Sequence, residues 1–183
     1  RYWMGAEMGG KPEVVAEWSG HIIVRYFIWI AVKIAKLYND AFLVIESNTP
    51  NSIQDSGFIM ASVFEEIADV YTNMYYRQSS PEDIRLGKPK KWGFNTNRTT
   101  KTQICTHHQV VLANDMYVER SLDAVNEHDT FEVKLDGTIG AVDGCHDDRV
   151  ITRALGCWIC YKALDPPIFA DDRKLEYSTT TTI

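Results

Sequence analysis

Apolar and polar positions along the chain repeat with two periods, and this predicts strands and helices in mixed order. Residues 2–7 and 13–20 have the pattern of short, half-buried strands. Residues 21–38 repeat apolar side chains at helical spacing. The predicted apolar face of that helix consists of Ile23, Phe27, Ile30, Ile34, Leu37 and Tyr38. Residues 41–48, AFLVIESN, form a continuous apolar run, which is typical of a strand covered on both faces.

The middle of the chain predicts a helix, a strand and a long loop. Residues 52–70 have helical spacing, and the apolar side of that helix would carry Ile59, Val63, Ile67 and Val70. Residues 73–78, NMYYRQ, predict a strand. Residues 79–99 are rich in Pro, Gly and Lys and predict a long loop, a kind of segment that is often functional.

The last third predicts two helices around a hairpin. A helix is expected over residues 99–115, with Thr99 or Thr100 as its cap. The segments TFEVKL and TIGAV flank Asp136-Gly137, which is a strong hairpin signal. Residues 147–163 predict the last helix. The resulting order indicates an α/β fold with a mixed central sheet flanked by helices.

The overall composition is that of one globular domain. The chain has 183 residues, of which 45% are hydrophobic and 24% charged. We expect a domain over residues 1–164 and a polar C-terminal tail over 165–183. The apolar run of residues 21–38 contains Arg25, Lys33 and Lys36, which favours a buried helix over a membrane span. Because the chain starts at Arg1, we expect it to be part of a longer protein; no signal peptide is visible.

Positive charge is concentrated in one part of an otherwise acidic chain. The net charge of −6 disfavours indiscriminate nucleic-acid binding. Residues 85–101, called the basic segment below, nevertheless contain no acidic residue. Its cations are Arg85, Lys88, Lys90, Lys91, Arg98 and Lys101. The segment is either a solvated loop or a surface for phosphates, and its Trp92 and Phe94 either contact nucleotides or pack on the protein.

The four cysteines favour a reducing compartment. Cys157 and Cys160 form a CxxC in an apolar helical context. A zinc site needs four convergent ligands, and neither a second CxxC nor a His pair has the spacing to supply them. The adjacent His107 and His108 would face different sides of a helix. Buried, reduced thiols are therefore the favoured interpretation.

Acidic residues stand at positions where α/β proteins often build sites. Glu46 ends the apolar run at the carboxyl end of a predicted central strand, and Glu7 ends the first strand in a similar way. Asp147 and Asp148 open the last helix, where the helix dipole alone would stabilise acids by about 0.3–1 kcal/mol each. Each acid therefore has an ordinary structural interpretation as a solvated or helix-capping group.

Together, the acids suggest a metal site. Carboxylates that converge on one sheet edge are difficult to keep ionised without a cation. Oxygen ligands suit Mg²⁺ or Mn²⁺, and two such ions about 4 Å apart promote phosphodiester hydrolysis. The basic segment would then contact phosphates beside the site.

The chain resembles the C-terminal nuclease domain of the large terminase subunit of tailed bacteriophages, which has an RNase H-like fold. The matching pieces span residues 2–155 and are YWMGAE, VVAEWSGHI, IAKLYNDAFLVIESN, NMYYRQ, KKWGFNTNRTTK and GCHDDRVITRAL. The resemblance implies a Mg²⁺- or Mn²⁺-dependent endonuclease that cuts concatemeric double-stranded DNA during head packaging in the host cytoplasm. Its partners would be an N-terminal ATPase domain, a small terminase subunit and the portal ring. No phosphate-cradling GxxxxGKS or GxxxxGKT motif occurs in this chain.

Residue by residue, the resemblance assigns the metal to the acids. Glu46, Asp147 and Asp148 would be metal ligands and catalytic residues, with Glu7 at the fourth corner. His146 would orient a ligand or a phosphate. Asn95 and Lys101 would contact DNA, together with the other cations of the basic segment.

One departure leaves two functional interpretations open. The family usually has Asp where this chain has Glu7, and a longer hairpin precedes the second strand. Either the hairpin is shortened here or residues are missing from it. An extra methylene displaces a ligand by more than about 1 Å, and catalysis is sensitive to that. The alternative is therefore a weakened or inactive module of the same fold that binds DNA or docks on the portal. A more remote alternative is a resolvase- or transposase-type nuclease, and the segment WGFNT weighs against it through resemblance.

Overall fold

The computed structural model describes residues 2–5, 11–47, 62–77, 80–88 and 90–163, with the backbone alone for residues 2–5 and 163, and has a mixed α/β fold. The helices are α1 (Val24–Leu37), α2 (residues 62–68), α3 (Pro81–Arg85), α4 (Arg98–Ala113), α5 (Leu122–Asp129) and α6 (Asp148–Trp158), with a π-helical turn at Ile159–Ala163. The strands are β1 (Tyr2–Gly5), β2 (Glu13–Glu17), β3 (Tyr76–Arg77), β4 (Lys91–Trp92), β5 (Phe131–Val133) and β6 (Ile139–Ala141).

The chain divides into two compact units. The first unit comprises Arg1–Ser19 and Gln103–Ile183, and the second unit comprises Gly20–Thr102. The predicted C-terminal tail, residues 165–183, lies outside the described residues. The described part of the chain contains no helix that is both long enough and apolar enough to cross a membrane.

The strands pair as antiparallel two-stranded sheets, β1 with β2, β3 with β4, and β5 with β6. Isolated parallel bridges join Glu13 to Val118, Leu43 to Met74 and Glu46 to Phe94. Among the described residues these pairings form small sheets, and one continuous central sheet is not seen.

The predicted hairpin is confirmed. Phe131 pairs with Ala141 and Val133 with Ile139, and the Lys134 N–H donates to the Thr138 carbonyl at 2.8 Å. Gly137 has a φ of +74°, which an L side chain rarely adopts. Three residues, 135–137, therefore lie between Lys134 and Thr138, and Gly137 provides the left-handed position that such a loop requires.

Helix α1 forms where it was predicted, but the predicted apolar face was wrong. The buried side is Phe27, Ile28, Ala31, Val32 and Ala35. Of the six residues predicted for that face, Phe27 alone is buried, while Ile23 and Leu37 are 67% and 81% exposed. The helix is apolar on nearly every side, so its large residues do not identify the packed face. The small Ala31 and Ala35 do, because they allow neighbouring segments to approach closely.

The predicted loop over residues 79–99 contains a short helix and a short strand, which corrects that interpretation. Helix α3 begins after Ser80, whose hydroxyl accepts a hydrogen bond from the Asp83 N–H at 3.1 Å. Pro81 occupies the first turn, where its missing N–H costs nothing. The signal for a short helix, Ser-Pro-Glu-Asp, was therefore present in the sequence and was overlooked.

In the first unit, helix α6 lies against β1 and α5, and its apolar side is buried. A cluster of Val14, Val111, Tyr117 and Cys157 forms part of the core there. Helix α6 ends at Trp158, five residues before the predicted end of the last helix, and the chain continues as the π-helical turn.

Two histidines of the first unit share a hydrogen bond. Their Nε2 atoms, in His108 and His128, lie 2.9 Å apart, and His128 Nδ1 lies 2.6 Å from the Ala124 carbonyl oxygen. Since a carbonyl accepts only, His128 donates from Nδ1, and a single proton lies between the two Nε2 atoms.

Candidate active site

Glu46 lies near the carboxyl end of an extended segment, residues 41–47, in the second unit. The side chains alternate along this segment: Leu43 and Ile45 are buried, and Glu46 lies on the other face, half-buried. The backbone is bonded on both sides of Glu46. Phe94 N–H donates to the Ile45 carbonyl at 2.8 Å, and Ser47 N–H donates to the Phe94 carbonyl at 2.7 Å. These bonds fix the position from which the Glu46 carboxylate projects.

Gly93 allows this close approach. Its φ is +79°, and a Cβ atom there would lie 2.7 Å from Ser47 Cβ and 2.8 Å from the Ile45 carbonyl oxygen. Both distances are below normal van der Waals contact, so no larger residue fits without movement. The position of Glu46 thus depends on a glycine 47 residues further along the chain.

Helix α4 begins four residues after Phe94, so its amino end follows closely on the residue that bridges to Glu46. The predicted caps, Thr99 and Thr100, were wrong, because Asn97 is the cap. Asn97 Oδ1 accepts from the Thr100 N–H at 3.0 Å, and Thr100 Oγ1 accepts from the Asn97 N–H at 2.8 Å. This reciprocal pair is a capping box in which Thr replaces the usual Glu. Arg98 lies in the first turn beyond it, and the carbonyl of the exposed Asn95 accepts from Thr100 Oγ1 at 2.9 Å.

The basic segment is exposed over most of its length, but an acid just outside it neutralises part of its charge. Asp83 Oδ1 is 2.7 Å from Lys88 Nζ, and Asp83 Oδ2 is 3.3 Å from Lys91 Nζ. The hydrogen bonds from Lys88 and then Lys91 lower the pKa of Asp83, so this carboxylate stays ionised. A phosphate would have to compete with Asp83 for those two lysines.

The aromatic residues of the basic segment pack on the protein. Phe94 is buried and lies 5.8 Å from the Tyr75 ring, so of the two alternatives left open by the sequence it is packing on the protein that the structure shows. Trp92 stacks edge-on against Tyr76 at 5.7 Å, and Lys90 Nζ lies 4.5 Å from the Tyr76 ring centre. Lys90 Nζ therefore lies over an aromatic surface, in cation–π contact with it.

Asp147 and Asp148 stand at the start of α6 in the first unit. Asp147 is the N-cap residue by position, yet its side chain makes no capping hydrogen bond. The acceptor is supplied from another helix: Glu127 Oε2, on α5, accepts from the Arg149 N–H at 2.8 Å. Asp148 is exposed, as is His146 just before the pair. Helix capping therefore does not account for the two adjacent acids.

Two arginines of α6 bind acids from other elements. Arg149 Nη1 lies 2.5 Å from Glu127, its Nε 3.1 Å from Glu17, and its Nη2 3.2 Å from Asp123. Arg153, which is 1% exposed, donates to Glu17 at 2.7 Å and to Glu119 at 2.9 Å. Glu17 therefore bridges the two arginines, and α6 is attached to β2 and α5 through charge.

The ionisation of this network follows from its geometry. Burial alone would raise the pKa of Glu119, but hydrogen bonds from Arg153 and Tyr117 lower it. The pKa of Glu17 is lowered as well, because hydrogen bonds from Arg153 and Arg149 outweigh desolvation. Burial raises the pKa of Tyr117, as does its hydrogen bond to Glu119. The network thus consists of ionised acids and arginines with a neutral tyrosine.

The predicted ligands are distributed over both units. Glu46 belongs to the second unit and the Asp147–Asp148 pair to the first, while Glu7 lies outside the described residues. Among the described residues no three His, Cys, Asp or Glu side chains are grouped so that they could hold a metal ion. The chemistry of the predicted donor set, all carboxylate oxygens, does fit Mg²⁺ or Mn²⁺.

The sequence reasoning missed Glu17, Glu127, Arg149 and Arg153. One signal was available: Arg153 stands in an otherwise apolar stripe of α6, between buried Val150 and Cys157. A buried arginine needs acidic partners. Their identity was not readable, because they lie 34 and 136 residues away along the chain.

The CxxC of α6 and the turn after it is partly buried. Cys157 is buried and Cys160 half-buried. Burial raises the pKa of Cys157 to about 12, and neighbouring Cys160 and Glu119 contribute. Burial also raises the pKa of Cys160. Both thiols are therefore protonated and unreactive at neutral pH. Cys145, by contrast, is exposed.

The chain matches no protein-family model, and no curated protein sequence is significantly similar to it.

Proposed function

We propose that this chain is a Mg²⁺- or Mn²⁺-dependent endonuclease domain with an RNase H-like central sheet, which hydrolyses phosphodiester bonds of double-stranded DNA. Its place would be the nuclease part of a phage DNA-packaging terminase, as the resemblance described above implies. The ions would be held by Glu46, Asp147 and Asp148, with Glu7 as a further ligand. They would supply charge stabilisation and an activated water.

The observation that carries the proposal is the start of α6. Two adjacent acids, Asp147 and Asp148, stand there although Glu127 already supplies the capping acceptor. Two like charges side by side repel each other, and the Asp147 side chain makes no capping hydrogen bond that would offset the repulsion. A divalent cation is the most direct compensation.

The surroundings of Glu46 add support. Its backbone is bonded through Ile45 and Ser47 to Phe94, and α4 begins four residues after Phe94. A helix amino terminus and a first-turn Arg98 favour an anion such as a DNA phosphate. The cations of the basic segment precede this point directly in the chain.

Plasmid cleavage tests the proposal. The unsubstituted protein is expected to nick and linearise supercoiled plasmid with Mn²⁺ or Mg²⁺, with little sequence preference, and EDTA should stop the reaction. Asp148→Ala and Glu46→Ala should each reduce cleavage to background. Asp143→Ala is the matched control, because Asp143 is an exposed acid of the same region that pairs with Lys134 at 2.8 Å. Equal cleavage by all four proteins would refute the assignment.

A second candidate is a module that binds DNA or docks on the portal without cutting. Glu7 favours it, because the resembling family has Asp at that position and a displaced ligand weakens metal binding. Calorimetric titration with Mn²⁺ separates the two candidates. Heat of binding that disappears in Asp148→Ala supports the nuclease, and DNA binding without any heat from Mn²⁺ supports the second candidate.

A further inference from the structure

We infer that Glu127 and Arg149 are positioning residues for the Asp147–Asp148 pair, an inference that rests on the proposed function. Neither residue is among the predicted metal ligands. Together they form a clamp that determines the direction in which the two aspartates project. We call Glu127 and Arg149 the α6 clamp.

The clamp holds both the backbone and the side chain of one residue. Glu127 Oε2 accepts from the Arg149 N–H at 2.8 Å, and Glu127 Oε1 lies 2.5 Å from Arg149 Nη1. Both oxygens of the carboxylate are therefore used by the residue that directly follows Asp148. Glu127 is itself 8% exposed, so these bonds form largely away from water. The low dielectric of such surroundings strengthens them.

The backbone bond acts on Asp148 through the peptide plane. The amide of Arg149 and the carbonyl of Asp148 belong to one planar group. Fixing the N–H of Arg149 therefore fixes the orientation of the plane attached to Asp148 Cα. The first turn of α6 is thereby set relative to α5, from which Glu127 projects.

The remaining contacts of Arg149 prevent rotation of the clamp. Arg149 Nε binds Glu17 on β2 at 3.1 Å, on a different element from Glu127. Asp123, one turn before Glu127 on α5, adds a contact at 3.2 Å to Nη2 and is itself 70% exposed. The exposed Asp123 pair contributes little, whereas the Glu127 pair is largely shielded.

A carboxylate that orients a metal ligand through such bonds changes metal affinity when it is removed, typically by 10–100-fold. Glu127→Leu keeps the approximate size of the side chain and removes both acceptors. Glu127→Gln retains one oxygen acceptor for the Arg149 N–H. Asp123→Asn is the matched control, because it removes another acidic partner of Arg149 and leaves the backbone bond intact.

The experiment is a calorimetric titration of the full 183-residue chain with Mn²⁺ alone, at a temperature where melting curves show every variant to be folded. Glu127→Leu is expected to weaken Mn²⁺ binding by about 10–100-fold. Glu127→Gln should recover much of that loss, and Asp123→Asn should bind like the unsubstituted protein. Recovery by Gln separates positioning from a general loss of stability, which any neutral substitute would cause.

The outcomes distinguish this inference from the proposed function. If the unsubstituted protein binds Mn²⁺ and both Glu127 variants bind it equally well, the inference is overturned and the proposed function stands. If the unsubstituted protein neither binds Mn²⁺ nor cleaves plasmid, the proposed function fails and the inference fails with it. If Glu127→Leu does not fold, Glu127→Ala, which also lacks both acceptor oxygens, takes its place, and Mn²⁺ binding no weaker than in Asp123→Asn then overturns the inference.

Discussion

Glu46 and the Asp147–Asp148 pair are held in place by different kinds of interaction. Around Glu46 the backbone does the positioning, through hydrogen bonds to Phe94 and the close approach of Gly93. Around the Asp pair, side-chain charges do it, through Arg149 and the acids of α5 and β2. The first arrangement depends on the absence of a side chain, and the second depends on ionised side chains.

This difference predicts how each region responds to a substitution or to a change of pH or salt. A backbone-positioned group tolerates changes of pH and salt but not added volume. A group positioned by buried ion pairs tolerates changes of volume better than the loss of one charge, because the partner charge is then left without compensation. The two regions can therefore be perturbed selectively.

The largest expected effect is the loss of Arg153. Arg153→Met keeps most of the side-chain volume but leaves Glu17 and Glu119 without the arginine that each binds within 3 Å. Breaking a buried pair in this way costs about 3–5 kcal/mol of unfolding free energy. Urea denaturation of the variant and the unsubstituted protein measures the difference.

A surface pair in the same unit provides the control. Arg120 binds Glu13 at 2.5 Å but is 65% exposed, so Arg120→Met should cost less than about 1 kcal/mol. Equal destabilisation by Arg120→Met and Arg153→Met would show that burial does not decide the contribution of these pairs, and the comparison between the two regions would lose its basis.

The sequence predicted what depends on local pattern. The hairpin around Asp136-Gly137 follows from its turn residues, and α6 follows from its apolar spacing, so both were found. The packed face of α1 was not predicted, because that helix is apolar almost all round. The elements that pack against it determine which face is buried. The cap of α4 was misplaced because NTNRTT offers several adjacent capping side chains.

In the candidate site, too, the features set by local pattern were predicted and those set by tertiary contacts were not. The extended segment that carries Glu46 and the helix start that carries Asp147 were readable from periodicity and motif, although that segment pairs through isolated bridges rather than as the predicted central strand. The α6 clamp was not, since Glu127 and Arg149 meet across 22 residues and Arg149 reaches Glu17 across 132. Pairing of charges over such separations is a product of the tertiary fold, and a single sequence contains no local signal of it.

Acid should weaken the first unit, with an effect of intermediate size. Burial, followed by the charges of His128 and His107, lowers the pKa of His108 to about 4. An unfolded histidine titrates near pH 6.5, so the unfolded chain binds a proton between pH 6.5 and 4 that the folded chain does not. This contribution to stability is complete above pH 6.5 and is lost as the pH falls toward 4. It amounts to about 3 kcal/mol.

Hydrogen exchange followed between pH 7 and 4.5 checks this expectation. After correction for intrinsic exchange rates, the peptides of α6 should lose protection as the pH falls. The loss should be smaller in His108→Gln, which has no group that titrates in this range. The lowered pKa values of Glu17 and Glu119 add a further loss below about pH 4.5. Protection that is constant down to pH 5 would contradict the prediction.

The smallest expected effect concerns the backbone around Glu46, and it comes from adding one methyl group. Gly93→Ala would place Cβ 2.7 Å from Ser47 Cβ and 2.8 Å from the Ile45 oxygen, at a φ of +79°. Such overpacking costs about 1–3 kcal/mol.

Gly87→Ala is the matched control, since its φ of +62° is also left-handed but nothing lies within 4 Å of the added atom. Any excess cost at Gly93 therefore measures the contact with the Glu46 segment, together with the looser contact at 3.0 Å with the Phe64 ring, rather than backbone strain. Because that contact sets the position of Glu46, Gly93→Ala should also slow Mn²⁺-dependent plasmid cleavage, while Gly87→Ala should not. Equal unfolding free energies for the two variants would show that the segment moves aside readily, and the carboxylate of Glu46 would then not be held by its backbone.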